Sequence, residues 1–391
     1  MRILFVKERF AWPRSSGHDV HCFELMRALS QRGHQIFVAS LAEPPDAALA
    51  GCACTGRFLL DEDPDLSTPV AFTKSQEKFR AYWGVRLGSI RTVGSLVERH
   101  GIEAVVVVGL NVLPYLGAVK NAIRIWYAGD EWVWHHLSQF RLWQRSTWSH
   151  LRQALVKGYY ERSFTSLVDR VWMVSQADAH AWRRVTGHDQ VDVVPNGVDQ
   201  DYYAPIESTS VPYSCIFWGR LDFGPNLQAL QWFCQRIWPR ILRRQPQARF
   251  DILGFQATAA VHHLVARTPG TSLAVDKLDI RADIARAQVV VLPFVSGGGI
   301  KNKLLEAAAL AKAIVCSPRV LSGLEPGNAI VVARSSQDWL QALNSLWNNE
   351  QTRRDYGQAA RAWVTAKQTW AMAAEKALAG LAQPCHASCL S

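Results

Sequence analysis

Short apolar runs alternate along the chain with segments in which apolar residues recur at helical spacing. In the first half these runs are MRILFV, QIFVASL, AVVVVG, IRIWYAG and RVWMVS. They do not alternate with polar residues, which is typical of strands buried on both faces of a parallel sheet. Between the first two runs, Phe23, Met26 and Leu29 recur at near-helical spacing, and Gly33 supplies a helix stop. We therefore predict a β-α-β opening and a parallel sheet with helical crossovers.

The pattern ends at VPNGVD and then starts again. Pro195, Asn196 and Gly197 punctuate the chain, and residues 201–213 carry prolines and serines that are typical of a connection. The apolar runs that follow are SCIFWGR, ARFDILG, AQVVVLPF and AIVCS, with helical patterns at 226–242, 337–349 and 352–381. A chain of 391 residues also exceeds what one hydrophobic core usually organises.

These patterns predict an α/β protein of two Rossmann-like, doubly wound domains that face each other across a cleft. We place the N-terminal domain at residues 1–205 and the C-terminal domain at 206–368. Residues 369–391 form a closing segment with a frayed tail.

The most informative stretch is SGGGIKNKLLEAAALAKAIVCSP, residues 296–318. It follows a predicted buried strand, so its glycines stand at the strand's carboxyl end. Gly297, Gly298 and Gly299 can turn backbone N–H groups toward an anion, and the next helix points its positive dipole end at the same place.

Lys301 and Lys303 follow in the first helical turn, where the dipole disfavours cations. This conflict indicates a bound anion. Glu306 emerges on nearly the same helix face as Lys303, so one could hold phosphate while the other accepts ribose hydroxyls. A flexible turn before an alanine-rich core helix would explain the glycines alone, whereas the whole string favours a grip for a nucleotide diphosphate.

Gly219 and Arg220 end the first predicted strand of the second half, at the edge where parallel sheets bind ligands. An arginine there can donate to two phosphate oxygens at once. A surface salt bridge is the alternative for an isolated Gly-Arg pair. The topological match with Lys303 favours the phosphate.

In the first half, Gly17 and His18 lie in the loop between the first strand and the first helix, where they can approach a sugar or a phosphate. The loop lacks the GxGxxG pattern of nicotinamide-binding domains, which disfavours a dehydrogenase. Asp130 and its neighbour Glu131 follow a later strand. Either could orient an acceptor hydroxyl or take its proton, with a helix N-cap as the structural alternative.

The net charge of +10 predicts anionic partners: nucleic acid, acidic lipid headgroups or nucleotide sugars. Tryptophans and basic residues cluster at 126–157, which fits either a membrane interface or an ordinary aromatic domain face. No apolar run reaches the ~18 to 20 residues of a membrane helix, and MRILFV runs directly into charged residues, unlike a signal peptide. We therefore expect a cytoplasmic protein that does not span a membrane.

Possible metal ligands are weak in this sequence. The eight cysteines have no supported zinc spacing, and we interpret them as free buried thiols. The acidic triplets at 61–63 and 199–201 resemble DxD metal motifs, but each lies in a proline-flanked loop without a preceding strand that carries a second ligand set. We interpret them as solvated turns, and His135 and His136 as structural or interfacial, and predict no metal site.

Together these segments resemble the retaining glycosyltransferases of GT-B fold called glycosyltransferase family 4. The resemblance rests on the opening loop, helix and RGH, on VPNGVD, on GRLDFGPN and on GGGIKNKLLEAAAL, and it covers most of the chain. It implies transfer of a sugar from a nucleotide diphosphate sugar to an acceptor hydroxyl, with retention of anomeric configuration and without an essential metal or other cofactor. The acceptor would be a glycan or a glycolipid of polysaccharide or cell-envelope synthesis, with peripheral contact at the inner face of the cell membrane.

By this resemblance, Arg220 and Lys303 neutralise the donor diphosphate as it becomes the leaving group, and the glycine loop donates backbone N–H groups to the same charge. Glu306 matches the second glutamate of the family's E-x7-E motif and would hold the ribose. Asp130 stands where the family commonly places an acceptor-side acid or histidine. The closing segment would cross back to the first domain, as it often does in this fold.

The sequence departs from the family pattern at two positions. The first glutamate of the E-x7-E motif is absent, and Gly298 stands in its place. Asn226 stands where a second basic residue is expected, and Lys301 would substitute for it. A nucleotide-sugar epimerase of the same fold and a non-catalytic binding partner of a transferase are the alternatives. Nucleic-acid binding lacks a recognisable module.

Overall fold

The computed structural model describes residues 1–12, 14, 17–60, 69–129, 133, 136–137, 148–297 and 300–382. The chain divides into two compact units. Unit 1 comprises Met1–Pro195 with Ala373–Ser391, and unit 2 comprises Asn196–Met372. The sequence prediction placed the division ten residues later, after residue 205. Each unit has its own parallel sheet and its own hydrophobic core, which confirms the predicted α/β class.

Unit 1 is built on a seven-stranded parallel sheet of order β3-β2-β1-β4-β5-β6-β7. Its strands are β1 Arg2–Lys7, β2 Gln35–Ser40, β3 Cys54–Leu59, β4 Ala104–Val108, β5 Ile123–Gly129, β6 Arg170–Met173 and β7 Val191–Val193. The helices described are α1 Gly17–Gln31, α2 Asp46–Leu49, α3 Lys74–Tyr82, α4 Leu87–His100, α5 Trp148–Phe164 and α6 Gln176–Thr186. β4 is buried along its whole length, as its uninterrupted apolar run predicts.

Unit 2 is built on a six-stranded parallel sheet of order β10-β9-β8-β11-β12-β13. Its strands are β8 Val211–Arg220, β9 Arg249–Phe255, β10 Thr271–Val275, β11 Ala287–Leu292, β12 Ala313–Cys316 and β13 Val331–Val332. Its helices include α7 Gly224–Trp232, α8 Trp238–Arg244, α9 Ala259–Ala266, α10 Arg281–Arg286, α11 Asn302–Ala309, α12 Ser336–Asn348 and α13 Glu350–Lys367. The final helix, α14 Trp370–Ala382, begins in unit 2 and continues in unit 1.

Two predicted helices are interrupted in the structure. The pattern at 226–242 becomes α7, a π-helical turn at Phe233–Ile237 and α8, whose first turn contains Pro239. Proline lacks the N–H that a continuous helix needs, so the interruption falls just before it. The run at 352–381 breaks after Gln368, where Thr369 forms a parallel bridge with Val198.

The sequence pattern missed four strands, β3, β7, β10 and β13. Each is an edge strand of its sheet, and β3 alternates between half-buried and exposed side chains. Edge strands carry polar residues and therefore lack the continuous apolar signal that marked the central strands. The strand β3 ends two residues before the acidic triplet 61–63, and the triplet itself lies outside the described residues.

Several smaller predictions can be compared with the structure. Oδ1 of Asp199 accepts from the backbone N–H groups of Asp201 and Tyr202 at 3.1 and 3.0 Å, as in a solvated turn. The six cysteines in the described ranges are free thiols. None of the described helices is both long enough and apolar enough to cross a membrane.

The strand order reverses between β1 and β4 in unit 1 and between β8 and β11 in unit 2. Doubly wound sheets bind ligands at such switch points, beyond the carboxyl ends of the strands. Each unit therefore has one edge where a site is expected.

Candidate active site

The switch point of unit 2 brings together the two predicted anion-binding sequences. β8 ends at Arg220, and the chain after β11 passes through Gly297 before α11 begins at Asn302. Because β8 and β11 are neighbours and parallel, both segments leave the sheet at the same edge.

Gly219 allows the side chain of Lys303 to lie directly over the end of β8. A Cβ atom at Gly219 would lie 2.4 Å from Cε and 2.6 Å from Nζ of Lys303, and the φ angle of Gly219 is 142°. On the neighbouring strand, a Cβ at Gly254 would lie 1.9 Å from the carbonyl oxygen of Gly219. Glycine is therefore required at both positions for this arrangement.

Two lysine ammonium groups converge beside the ring of Phe294. Nζ of Lys301 lies 5.5 Å and Nζ of Lys303 lies 5.7 Å from the ring centre. Burial lowers the pKa of Lys303 to about 8; Glu306 acts to raise this pKa and Lys301 to lower it further. An anion between the two ammonium groups would stabilise their charged forms. The geometry therefore provides two positive charges for one diphosphate.

Gly297 shapes the loop beside these lysines. Its φ angle is 87°, and a Cβ atom there would lie 3.0 Å from Cβ and Cγ of Pro225 and 3.7 Å from Nζ of Lys301. The left-handed backbone and the contact with Pro225 both favour glycine. The other two glycines of the predicted anion loop, Gly298 and Gly299, lie outside the described residues.

Glu306 is oriented by two aromatic residues. The indole Nε1 of Trp218 donates to its Oε2 at 2.8 Å, and Tyr203 makes a second side-chain hydrogen bond to the carboxylate. Burial raises the pKa of Glu306, while the hydrogen bond from Trp218 and the charge of Lys303 act in the opposite direction. A carboxylate has about four acceptor positions, so this one retains capacity for a pair of ribose hydroxyls.

Sequence reasoning identified Glu306 but missed Trp218 and Tyr203. Trp218 directly precedes Gly219 in β8, and its strand position gave a signal only for packing. Tyr203 lies in the segment that the sequence analysis assigned to a connection, so nothing in its local pattern pointed to the site.

Arg220 forms an ion pair within its own turn. Its Nε and Nη2 donate to the two carboxylate oxygens of Asp222 at 3.0 and 2.8 Å. The hydrogen bond from Arg220 lowers the pKa of Asp222. The salt bridge that the sequence analysis considered as an alternative is therefore present. It fixes the plane of the guanidinium, which is 33% exposed at the sheet edge.

Asn226 closes the turn between β8 and α7. Its side chain is buried, and Nδ2 donates to the backbone carbonyl oxygen of Arg220 at 2.7 Å. Asn226, which replaces the second basic residue of the family pattern, thus stabilises the turn that contains Arg220.

A cavity of about 710 Å³ lies at the switch point of unit 1. Residues that follow β1, β2 and β4 line it, together with the start of α1 and Lys157 of α5. Lys7 and Asp19 form an ion pair on its wall. Burial lowers the pKa of Lys157. Gly17 begins α1, and among the described residues no atom beyond its chain neighbours and its own helix backbone lies within 4 Å of the position of its missing Cβ.

Two histidines of α1 pack at the end of β5. A Cβ atom at Gly129, whose φ angle is 73°, would lie 2.6 Å from Nε2 of His18. The ring of His21 stacks on Tyr127 with 4.4 Å between centroids, and its Nε2 lies 3.2 Å from the carbonyl oxygen of Val194. Burial lowers the pKa of His21 to about 3, so this imidazole is neutral. The sequence analysis placed Gly17 and His18 in the loop before the first helix, whereas both lie in the first turn of α1, and His18 lines the cavity.

The predicted acceptor-side acid, Asp130, lies outside the described residues, as does Glu131. Trp126, from the aromatic cluster, is buried in the core, where its Nε1 donates to the carbonyl oxygen of Gly109 at 2.9 Å. Trp148 is 50% exposed at the start of α5. Of this cluster, Trp132, Trp134 and Trp143 lie outside the described residues.

The two sheets and their strand orders are those of the GT-B class, and solved structures share them. HepE from Anabaena in complex with UDP and glucose has 15% sequence identity and a TM-score of 0.67 over 98% of this chain and 100% of that chain. A TarM variant from S. aureus, in complex with Fondaparinux, alpha-GlcNAc-glycerol and UDP, has 9% identity and a TM-score of 0.70 over 98% and 100% of the two chains. Sucrose-phosphate synthase from Thermosynechococcus elongatus has 12% identity and a TM-score of 0.70 over 97% and 98%.

Two family models match the chain. The model described as Glycosyltransferase Family 4 matches residues 15–202, and the one described as Glycosyl transferases group 1 matches residues 212–349. The chain therefore belongs to the group 1 and family 4 glycosyltransferases of GT-B fold. A search of curated proteins found no match.

Proposed function

We propose that this glycosyltransferase moves a sugar from a nucleotide diphosphate sugar to a hydroxyl of a glycan or glycolipid acceptor, with retention of configuration and without an essential metal. The observation that carries the proposal is the position of Lys303 over the end of β8, with Lys301 beside the same Phe294 ring. Two ammonium groups at a switch point, beside an oriented carboxylate, match the charge and shape of a nucleoside diphosphate.

In this reaction the bond between the anomeric carbon and the diphosphate oxygen breaks, and its electron pair stays on the diphosphate. Lys303, Lys301 and Arg220 stabilise the charge that develops there. The acceptor oxygen forms the new bond to the anomeric carbon on the face from which the diphosphate leaves. Its proton passes to a base, the role we assign to Asp130.

We assign to Glu306 the binding of the ribose hydroxyls of the donor nucleotide. Trp218 and Tyr203 hold its carboxylate in one orientation, which favours two hydroxyls at a fixed spacing over a flexible ligand. The glycine loop at 297–299 is assigned to the diphosphate, and Gly17 keeps its predicted role in donor binding.

A thermal-shift panel of UDP, GDP, ADP and their sugars tests the proposal. We expect one nucleotide to raise the unfolding temperature of the wild type, because a ligand that binds only the folded state stabilises it. Lys303→Ala should remove the shift, and Lys277→Ala should keep it, because Lys277 is paired with Asp283 elsewhere in unit 2. No shift with any nucleotide would contradict a transferase.

Retention is tested by the first sugar released when the donor is hydrolysed without an acceptor. Proton NMR should show this sugar in the anomeric configuration of the donor before mutarotation. The opposite anomer as first product would exclude a retaining reaction.

We further propose that the chain works in the cytoplasm at the inner face of the cell membrane, in polysaccharide or cell-envelope synthesis. The support is one face of α5, where Trp148, Arg152, Leu155 and Tyr159 recur at spacings of three or four residues. Leu155 is 68% and Tyr159 61% exposed. A helix face that combines exposed apolar side chains with a base is typical of an anionic lipid interface.

Liposome flotation tests this surface. The wild type should float with vesicles of phosphatidylglycerol and phosphatidylcholine, and Leu155→Glu should remain in the bottom fraction of the gradient. Leu278→Glu is the matched control, because Leu278 is an exposed leucine of unit 2, 81% accessible. Equal flotation of Leu155→Glu and the wild type would contradict the proposal.

A further inference from the structure

A second cavity of about 360 Å³ adjoins the switch-point cavity of unit 1. The two cavities are neighbours and share five wall residues, which are Glu8, Leu41, Trp83, Asn111 and Val112. The second cavity extends from them to Leu60, to residues 84–86 and 89 and to Tyr115. Its volume lies within the range of about 300 to 1,000 Å³ that is typical of ligand sites.

The hydroxyl of Tyr115 is the first sign that this cavity binds something. Tyr115 is 1% exposed, and its hydroxyl has no hydrogen-bond partner among the described residues. Tyr160, a buried tyrosine of the same unit, donates to the carbonyl oxygen of Leu110 at 2.9 Å. A buried polar group without a partner costs about 1 to 3 kcal/mol and needs an explanation. Since Tyr115 lines the cavity, a ligand there can supply the missing partner.

Trp83 is the second feature that indicates ligand binding in this cavity. Its side chain lines both cavities and is 36% exposed. Edge-on contacts fix the ring, with centroids 5.3 Å from Tyr82 and 6.3 Å from Tyr160. A fixed indole offers a flat apolar surface without the entropy cost of ordering a mobile side chain.

The remaining polar groups surround this platform. Nδ2 of Asn111 lies 3.5 Å from Oε2 of Glu8, at the limit of a hydrogen bond, so both groups keep capacity for a ligand. Arg86 and Ser89 complete the polar wall. An apolar plane ringed by donors and acceptors matches a sugar ring, which has C–H groups on its faces and hydroxyls on its rim.

Two other occupants fit less well. An alkyl chain would desolvate Glu8, Asn111 and the Tyr115 hydroxyl without bonding to them, at a cost of about 1 to 3 kcal/mol for each neutral group. A phosphate would be repelled by the carboxylate of Glu8.

We propose that this cavity is an acceptor subsite for a sugar ring, in which Trp83 is the platform and Tyr115, Glu8 and Asn111 bind the ring hydroxyls.

This proposal rests on the proposed transferase function and specifies its acceptor. With one ring in the switch-point cavity and the next against Trp83, the acceptor is an oligosaccharide of two or more sugars, free or lipid-linked. Trp83 and Tyr115 then determine specificity at the second ring.

A printed array of mono-, di- and longer saccharides tests the subsite on the full chain at saturating UDP. The wild type should retain a set of di- or longer saccharides and bind monosaccharides more weakly. Trp83→Ala should weaken retention by about tenfold or more, and Trp83→Phe should restore part of it. Tyr115→Phe should weaken retention while its unfolding temperature stays at or above that of the wild type, because no protein hydrogen bond is lost.

Thr186→Val is the matched control. It removes a hydroxyl of the same unit that does have a protein partner, the carbonyl oxygen of Trp182 at 2.9 Å, so it should lower the unfolding temperature and leave saccharide retention unchanged. The subsite proposal would be overturned if the wild type bound no oligosaccharide on the array. It would also be overturned if the wild type, Trp83→Ala and Tyr115→Phe bound the saccharides equally. The thermal shift that the nucleotide selected by the panel induces in the same samples separates the two proposals, because failure of the subsite alone leaves that shift intact.

Discussion

At the scale of single residues, the proposed donor site depends on the absence of a side chain at Gly219. Gly219 has no Cβ, and Lys303 occupies the space that a Cβ would need. The lysine reaches the end of β8 only because of this glycine. The site therefore depends on backbone geometry as much as on charge.

Gly219→Ala should separate these two contributions. The φ angle of 142° is unfavourable for alanine, so we expect a loss of about 1 to 3 kcal/mol in the free energy of unfolding. Displacement of the Lys303 ammonium should weaken UDP binding by about tenfold as well. Gly224→Ala is the control, because its Cβ would meet no atom within 4 Å. Denaturant titration and calorimetry measure both effects, and unchanged UDP affinity in Gly219→Ala would contradict the contact.

The pKa of Lys303 predicts how donor binding depends on pH. Burial lowers this pKa to about 8, and the protonated ammonium is the form that attracts the diphosphate. UDP affinity should therefore fall as pH rises above about 8, approaching a tenfold loss per pH unit. Lys303→Arg should remove this dependence, because arginine stays charged. A wild-type affinity that is constant up to about pH 10 would exclude a role for the Lys303 charge.

Candidate site residues could be recognised in the sequence where their chemistry stands out from the local pattern. Lys303 and Glu306 are charged residues in an apolar, glycine-flanked segment, so their positions stood out. Trp218 and Tyr203 could not be predicted, because their role is to hold Glu306, which is distant in sequence. A surface salt bridge of Arg220 was weighed from the sequence without a named partner, and the structure shows that the partner is Asp222.

At the scale of elements, central strands were predictable and interruptions were not. The continuous apolar runs identified β1, β4, β8 and β11, which are the strands that flank the two switch points. The edge strands β3 and β10 gave no such signal. The break before α14 depends on pairing between Val198 and Thr369, a contact over 171 positions that local periodicity does not encode.

Gly197 offers a test of that break. Sequence reasoning assigned it to a turn, but a Cβ atom there would lie 2.4 Å from the backbone nitrogen of Trp370. Because backbone cannot move aside as a side chain can, Gly197→Ala should destabilise unit 2 by about 1 to 3 kcal/mol. Chemical denaturation followed by circular dichroism measures this. Stability equal to that of the wild type would show that the two segments do not approach so closely.

At the scale of the whole molecule, each unit presents one switch point, and each switch point carries a different chemistry. Unit 2 offers ammonium groups and an oriented carboxylate, which suit a nucleotide. Unit 1 offers a cavity of about 710 Å³ with mixed charge and a tryptophan, which suits a saccharide. The proposed assignment of the donor to unit 2 and of the acceptor to unit 1 rests on this difference.

The cationic character of the donor site predicts the response to chelators. Lys301 and Lys303 supply the positive charge that a divalent ion supplies in metal-dependent transferases, so EDTA should leave turnover unchanged within about twofold. Donor consumption with and without EDTA measures this. Loss of turnover with EDTA and its recovery with Mg²⁺ would contradict metal independence.

The central claim is that unit 2 binds the diphosphate of the donor through Lys303. Calorimetric titration of the nucleotide selected by the thermal-shift panel, against its nucleoside, isolates the diphosphate contribution. For UDP and uridine, the wild type and Lys277→Ala should bind UDP at least about a hundredfold more tightly, and in Lys303→Ala the difference should fall below about tenfold. Equal affinities for UDP and uridine in the wild type, or an unchanged difference in Lys303→Ala, would contradict the claim.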